Sequence, residues 1–591
     1  MSVQVSRPKQ ADAGGLAPLP SSGLLPRWAA SERGQRLAAA LLFLVSAGLL
    51  LWRAMAVAHP VFIADEYYYL KTAQLWHLGQ ETVRDVTALP GRPGAQFPNV
   101  LFFALYQPLL AFAERAQAAG QLVNCALAVA MAGLVQRVAA RAAGLPPAWS
   151  WGLAILTLWL PATTYLGYFT PEALHDVLVW VGIAACAGLV RTRPVAAAAC
   201  LGAALGAAFL AKPNALALLA VGNITVVAIA AWHAPRGQRA RIAIAGVVAQ
   251  ELAFLAMAFV LNRICTGSWV WHPFGEFYAH SLNRLGEVSN DASLVQTLGR
   301  YVGVYFGVLA VFCGVPLAIL AAAWRPGRDA ARDTLAVLAM AGLPLLALAS
   351  AKVGANWERV YEGHVGVYAS RYMQVLYPLA FIAALACLRE HADAPSLRRR
   401  VVVGVFTLAG LAFLALSRNI ENTLQLRELH WVTYAGHTGG LWFAAVGGGF
   451  LLALWAWAFA RDVRPYMLVL AVDAALSCVS LMRVDHDRTT NGDPRWLAED
   501  AAQVAARVPA AQWDHGLVVG KPLRFATMFM ASFPGFVPVL AGQEWPALRS
   551  ADVPAGTRWV VFEGHEPPAF DRPCVPLRLG TFCDLSDGGG R

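Results

Sequence analysis

The chain has 591 residues, of which 58% are hydrophobic and only 14% charged, and its mean hydropathy is +0.51; repeated apolar runs of about 20 residues make it a polytopic membrane protein. The formal charge of +10 does not imply a nucleic-acid partner. Lys and Arg fall in short clusters between the apolar runs, which is the pattern of the positive-inside bias.

Residues 1–36 form a head whose first thirty positions are rich in Pro, Gly, Ala and Ser, a composition that predicts disorder. The first apolar run, from Leu37, continues to Val57 without a small-residue cleavage pattern, so it reads as a retained signal anchor and not a removed leader. Hydropathy then places spans near 37–58, 121–142, 148–167, 173–191, 194–211, 213–232, 241–262, 301–323, 333–351, 373–388, 400–417, 440–460 and 465–482, about thirteen in all. Basic clusters at the head, Arg137/Arg141, Arg191/Arg193, Arg236/Arg239/Arg241, Arg325/Arg328/Arg332, Arg398 to Arg400 and Arg461/Arg464 fall on one side, which should be cytoplasmic. The N-terminus is then expected inside. An odd number of crossings puts the tail outside.

The loops on the other side, 59–96, 263–300, 352–372 and 418–439, carry Trp, Tyr, His and carboxylates. The first holds Val61-Phe62-Ile63-Ala64-Asp65-Glu66-Tyr67-Tyr68-Tyr69. A carboxylate pair set against a bilayer surface among aromatics carries a desolvation cost, which suits catalysis, ion binding or a structural hydrogen bond. A plain helix cap near Tyr67 is the alternative reading. The run from Phe97 to Tyr106 is apolar but short and leads to Glu114-Arg115, so it is expected to be an interfacial helix. The first outer loop is accordingly taken as 59–120 and the membrane domain as 37–484.

From about 485 the hydropathy drops. Arg495 to Val508 is helical in period, while Gly516 to Gly520 and Thr557 to Phe562 read as short buried strands, predicting a small α/β domain over 485–591 on the outer side. Cys574 and Cys583 lie where an oxidising compartment would permit a disulfide, whereas the other seven cysteines fall mainly in apolar spans and read as small core residues. No P-loop, dinucleotide fingerprint, zinc spacing or repeat of 20–50 residues is visible in the sequence.

An Asp-Glu pair in the first outer loop of a chain with about thirteen spans, a following interfacial helix and a C-terminal outer domain together resemble the glycosyltransferase C superfamily. The nearest resemblance is to the bacterial branch of protein mannosyltransferases and lipid A aminoarabinose transferases. Phe209-Leu210-Ala211-Lys212-Pro213-Asn214, Phe169-Thr170-Pro171-Glu172-Ala173 and Ser370-Arg371-Tyr372 before Tyr377-Pro378 are similar to stretches of that branch, and the likeness covers about 37–482. One departure is Gln96-Phe97-Pro98, where relatives often carry a carboxylate and a basic residue; Arg92 is the candidate substitute.

The resemblance implies transfer of a sugar from a polyprenyl-phosphate donor to a lipid, glycan or protein acceptor on the outer face of a bacterial cytoplasmic membrane. Asp65 would be the general base of an inverting transfer. Glu66 would orient the site or bind a metal or substrate hydroxyl, and Glu172 would be a second acidic site. Arg371, Lys212 and Arg92 would bind the donor phosphate. No cofactor is fixed by these residues, and use of a divalent metal is left open. Lys212 could instead snorkel to the interface, Arg371 could anchor a helix end, and Glu172 could simply start a span. His175 and Asp176 have a packing reading beside a functional one, and Trp269, Trp271 and Trp431 read more readily as aromatic-belt anchors than as sugar platforms. Two other classes compete: a secondary transporter and a non-catalytic subunit of an envelope assembly. Polar groups concentrated in long outer loops, with no matched broken helices in two halves, weigh against transport.

Overall fold

A computed structural model describes residues 32–56, 69, 73, 99–160, 163, 166–167, 169–267, 269, 292–360, 371–390, 396–417, 439–460, 462–475, 493–520, 529, 533, 539–540, 553, 555–564 and 573–586. The membrane part is helical throughout these residues. Its helices are α1 (Glu32–Met55), α2 (Val100–Tyr106), α3 (Ala116–Arg141), α4 (Pro147–Leu158), α5 (Glu172–Leu189), α6 (Pro194–Ala211), α7 (Ala215–His233), α8 (Arg239–Thr266), α9 (Ala292–Phe312), α10 (Gly314–Ala323), α11 (Ala330–Val360), α12 (Arg371–Gln374), α13 (Tyr377–Glu390), α14 (Ser396–Ser417) and α15 (Gly439–Ala460), followed by α16 (464–475).

Among the described residues nine helices are long and apolar enough to cross a bilayer, fewer than the thirteen or so runs read from hydropathy. Of the remaining runs, those at 400–417 and 440–460 form α14 and α15, of 22 residues each, and those at 148–167 and 465–482 correspond to the shorter α4 and α16. The run at 148–167 is a correction to the sequence reading: α4 stops at Leu158, just before Trp159-Leu160-Pro161, because a proline excludes helical backbone from the residue before it and removes a donor. The run at 301–323 is broken at Cys313 between α9 and α10. The segment expected to be interfacial forms α2, continued by a 3-10 stretch, Gln107–Arg115.

Helix packing follows the small residues. Proline at the first position starts α6, whose Ala- and Gly-rich sequence packs closely on α8. Side chains added at Gly202 or Gly206 would strike the backbone carbonyls of Gln250 and Phe254. Glycines four apart thus bring two helix backbones together, as small-xxx-small pairs do in membranes. The apolar core runs through α3, α5, α6, α9, α10, α11 and α13, with Trp180, Tyr301, Leu335 and Leu379 almost wholly buried.

Two sets of long-range polar contacts mark the ends of the bundle. At one end Arg53 donates to the Thr163 carbonyl, Gln121 to Gly167 and Asn99 to Ala211. At the other, Arg191 donates to the Ala142 carbonyl and Arg389 to that of Gly144. Helices α3, α5, α6 and α13 connect the two.

The C-terminal part is α/β. Helix α17 (Asp493–Arg507) precedes strands β1 (Gly516–Val519), β2 (Val539–Leu540), β3 (Trp559–Glu563), β4 (Cys574–Pro576) and β5 (Gly580–Asp584), in one sheet of order β2-β1-β3-β5-β4. β1 runs parallel to β2 and β3, and β5 antiparallel to β3 and β4. Leu497, Ala501 and Val504, on one face of α17, meet Val518, Trp559, Val561 and Phe582 from the sheet. Asp500 is buried in the same helix and accepts the backbone N–H groups of Arg578 and Leu579, both at 2.8 Å, which ties the β4–β5 turn to α17. Cys574 stands directly opposite Cys583 in the β4–β5 pair, and the two are joined as a disulfide.

Candidate active site

Local sequence places a charge at each of two neighbouring helix ends. Glu172 opens α5, where a carboxylate is favoured by the partial positive charge of the helix N-terminus; Lys212 follows the last residue of α6, where a cation is favoured. α5 and α6 pack side by side, so the two end effects meet. Lys212 Nζ lies 2.5 Å from Glu172 Oε1, and each side chain is less than a tenth exposed. Lys212 Nζ also stands 4.5 Å from the centre of the Tyr372 ring, a cation–π contact strengthened by the scarcity of water.

Each partner is fixed from behind. Asn99 Nδ2 donates to the carbonyl of Ala211, the residue before Lys212. Trp180, fully buried on α5, donates to the Val375 carbonyl at 2.9 Å, holding the turn that begins at Arg371 and Tyr372. The stretch leading into Glu172 is held through its carbonyls by Arg53, Gln121 and Asn124. Side-chain donors thus reach buried carbonyls of a short, irregular stretch, where every backbone polar group needs a partner. Beside them Tyr69, Phe102, Phe103, Tyr106 and Phe169 form an aromatic cluster with ring centres 4.5–6.2 Å apart. Tyr106 donates to Asn124 Oδ1.

Of the residues nominated from sequence, the structure brings Glu172 and Lys212 together and sets Tyr372, the neighbour of Arg371, against the lysine. Arg371 starts α12. Asp65, Glu66, Arg92, Trp271 and Trp431 lie outside the described residues. The chain on either side of the Asp65-Glu66 pair is anchored near the cluster: Arg53 on the Thr163 carbonyl before it, and Tyr69 against Phe102 after it. His175 Nδ1 is 2.9 Å from Asp176 Oδ1, so those two bond to each other. Trp269 is exposed, with the Arg263 guanidinium 5.4 Å from its ring centre.

Sequence reasoning missed Arg53, Gln121 and Asn124. Buried polar side chains in apolar helices are the signal that could have found them. Two recesses among the described residues do not touch Lys212 or Glu172: one is lined by Arg325, Arg328, Asp329, Arg332 and Asp333, the other by Cys186, Thr225 and Thr334. Among the described residues no three His, Cys, Asp or Glu side chains group as metal ligands.

No protein-family model matches the sequence, and no curated protein does. Solved structures do. ArnT from Cupriavidus metallidurans, crystallised bound to undecaprenyl phosphate, superposes with a TM-score of 0.52 over 93% of this chain and 99% of that one, at 14% identity. The chain shares its fold with ArnT. The fold expected from the sequence, a polytopic helical bundle followed by a small α/β part, is the fold found. The oligosaccharyltransferase of Archaeoglobus fulgidus, solved in its apo form, aligns with a TM-score of 0.44 at 12% identity, covering 88% of this chain and 69% of that one.

Proposed function

We propose that the protein transfers a sugar from a polyprenyl-phosphate-linked donor to a cell-envelope acceptor, lipid, glycan or protein, at the outer face of a bacterial cytoplasmic membrane. The observation that carries this reading is the buried Lys212–Glu172 pair beneath Tyr372, in a fold shared with ArnT, whose crystal held undecaprenyl phosphate. Intramembrane charges are costly and are kept mostly for function.

In this mechanism the Asp65 carboxylate accepts the proton of the acceptor hydroxyl as its oxygen attacks the anomeric carbon. The bond from that carbon to the lipid phosphate breaks on the opposite face of the ring, inverting the centre. Glu66 orients the acceptor or a metal. The leaving phosphate needs positive charge, and Lys212 is already neutralised by Glu172. Net attraction must then come from Arg371 and Arg92, or from Lys212 exchanging its carboxylate for the phosphate. On this reading residues 1–36 lie in the cytoplasm, and the domain of 485–591 lies outside and influences acceptor choice.

The test is to incubate the purified full chain with polyprenyl-phosphate sugars of several kinds and an envelope extract, reading the released lipid phosphate by mass spectrometry. Turnover of at least one donor, dependent on Asp65, is expected. No donor consumed by a folded preparation, with ArnT active in parallel on its own donor, would overturn the reading.

A further inference from the structure

The opposite end of the bundle carries a second charged site, built on the loop between α10 and α11. Asp333 is almost wholly buried and collects three partners: Trp324 Nε1 at 2.9 Å, the Gly327 backbone N–H at 2.7 Å, and His233 Nε2 at 2.7 Å. Gly327 has φ +90°, a left-handed conformation that suits glycine, and it follows Pro326, whose φ is fixed by its ring. The turn Arg325-Pro326-Gly327-Arg328 is therefore held in one shape.

Asp329 is also committed. It takes the Arg191 guanidinium through two bonds of 3.0 Å and accepts the N–H groups of Ala331 and Arg332 at the start of α11. Neither loop carboxylate bonds to Arg325 or Arg328. Both arginines are exposed and donate to no acceptor among the described residues. With Arg332, Trp324 and the two carboxylates, Asp329 on Arg191 and Asp333 on His233, they line one recess that is closed below by the buried Ala383 and Ala386 and the half-buried Cys387 of α13.

The depth of this recess follows from α5. Glu172 begins that helix and Arg191 lies just past its end; its 18 residues span about 27 Å, close to the ~30 Å of a hydrocarbon core. The recess thus sits at the interface opposite Lys212. Trp324 and Trp232, in edge contact at 5.4 Å, stand at the same level, as aromatic rings do at a membrane boundary.

We propose that this recess binds the phosphate headgroup of an anionic membrane phospholipid. Guanidinium forks match phosphate oxygens, and basic pockets between spans at the membrane face bind such headgroups. A free phosphate ion would gain nothing from the placement of the recess at the membrane boundary. The inference is independent of the transferase reading.

The experiment is native mass spectrometry of the delipidated full chain titrated with phosphatidylglycerol or phosphatidylcholine. Each arginine near an anionic headgroup is worth about five-fold in binding, so R325A/R328A should lower phosphatidylglycerol binding by roughly ten-fold or more. Phosphatidylcholine binding should not change, nor should the melting temperature. R236A/R241A, which removes two exposed arginines around the start of α8 on the same end, should leave phosphatidylglycerol binding within about two-fold. Equal losses in both variants would mean diffuse attraction and overturn the site, as would unchanged binding in R325A/R328A. Full displacement by millimolar inorganic phosphate would overturn the lipid assignment. Photo-crosslinking of an azide-bearing phosphatidylglycerol to the wild-type chain reads the site without any variant: adducts on residues 324–332 support it, and adducts only elsewhere refute it.

Discussion

The two ends of the bundle handle charge in opposite ways. Where α5 begins and α6 ends, a lysine and a carboxylate are paired, shielded from solvent and roofed by an aromatic ring. Where α5 ends and α6 begins, arginines lie partly exposed, some spent on carbonyls and some left in a recess. A buried pair is poor evidence of stability, because desolvation offsets most of its attraction. Its retention needs a reason beyond folding. The exposed arginines need no such reason for the fold and serve whatever lies at that membrane face.

The largest expected effect sharpens the first half of this contrast. Asp65→Asn should lower transfer by about 10²- to 10⁴-fold while leaving the melting temperature in detergent unchanged. Near-normal turnover would show that the pair at 65 and 66 is a cap and not the base.

Next is the pair itself. Lys212→Met leaves Glu172 buried without its countercharge and should cost about 3–5 kcal/mol, read as a fall in melting temperature. K212M/E172L should recover most of that stability. If the lysine acts on the donor phosphate, the double variant stays inactive despite its recovered fold. Recovery of both would make the pair structural.

At the arginine end effects should be smaller and should not reach the chemistry. R325A/R328A is expected to change donor turnover in detergent by less than about two-fold. A large loss would mean that the two ends are coupled.

The smallest concerns pH. Burial alone would raise the Asp329 carboxyl, but hydrogen bonds from Arg191 and the Arg332 backbone, with the charges of both arginines, hold it below its ordinary value. A carboxylate depressed in the folded state contributes stability above its unfolded pKa and loses it as pH falls through the folded value. Asp329→Asn, which keeps the helix cap, should therefore destabilise at neutral pH by under about 1 kcal/mol for so exposed a pair. Melting curves of the two proteins should converge in acid. A constant gap across pH would assign the effect to the cap.

Much of this was legible in the sequence, and the failures have physical causes. Hydropathy located α6 to the residue, since nothing interrupts its Ala- and Gly-rich run between Pro194 and Lys212. It overran α4 because apolar residues continue past Leu158 while the backbone there turns irregular before Pro161. Glu172 and Lys212 were each nominated from local motifs, but their pairing across 40 positions depends on α5 and α6 lying side by side. Asp333 escaped notice for the same reason. Its partners His233 and Trp324 are defined by packing and share no motif. In the C-terminal part the apolar runs of β1 and β3 were readable, whereas β4 (Cys574–Pro576) and β5 (Gly580–Asp584) contain no such run and are joined by Cys574–Cys583, a pairing that the sequence suggested without revealing the strands.

The glycines of α6 act as a vernier for the lysine. Gly202 and Gly206 rest on the backbone of α8 at Gln250 and Phe254; a slip of one residue would drive Leu201 and Leu205, or Ala203 and Ala207, into those carbonyls. The register of α6 on α8 is thereby set in single steps of about 1.5 Å, and with it the depth of Lys212, six residues beyond Gly206. The backbone of Lys212 is thus held at one height, and only rotation about its side-chain bonds is left to place the ammonium group between Glu172 and the Tyr372 ring.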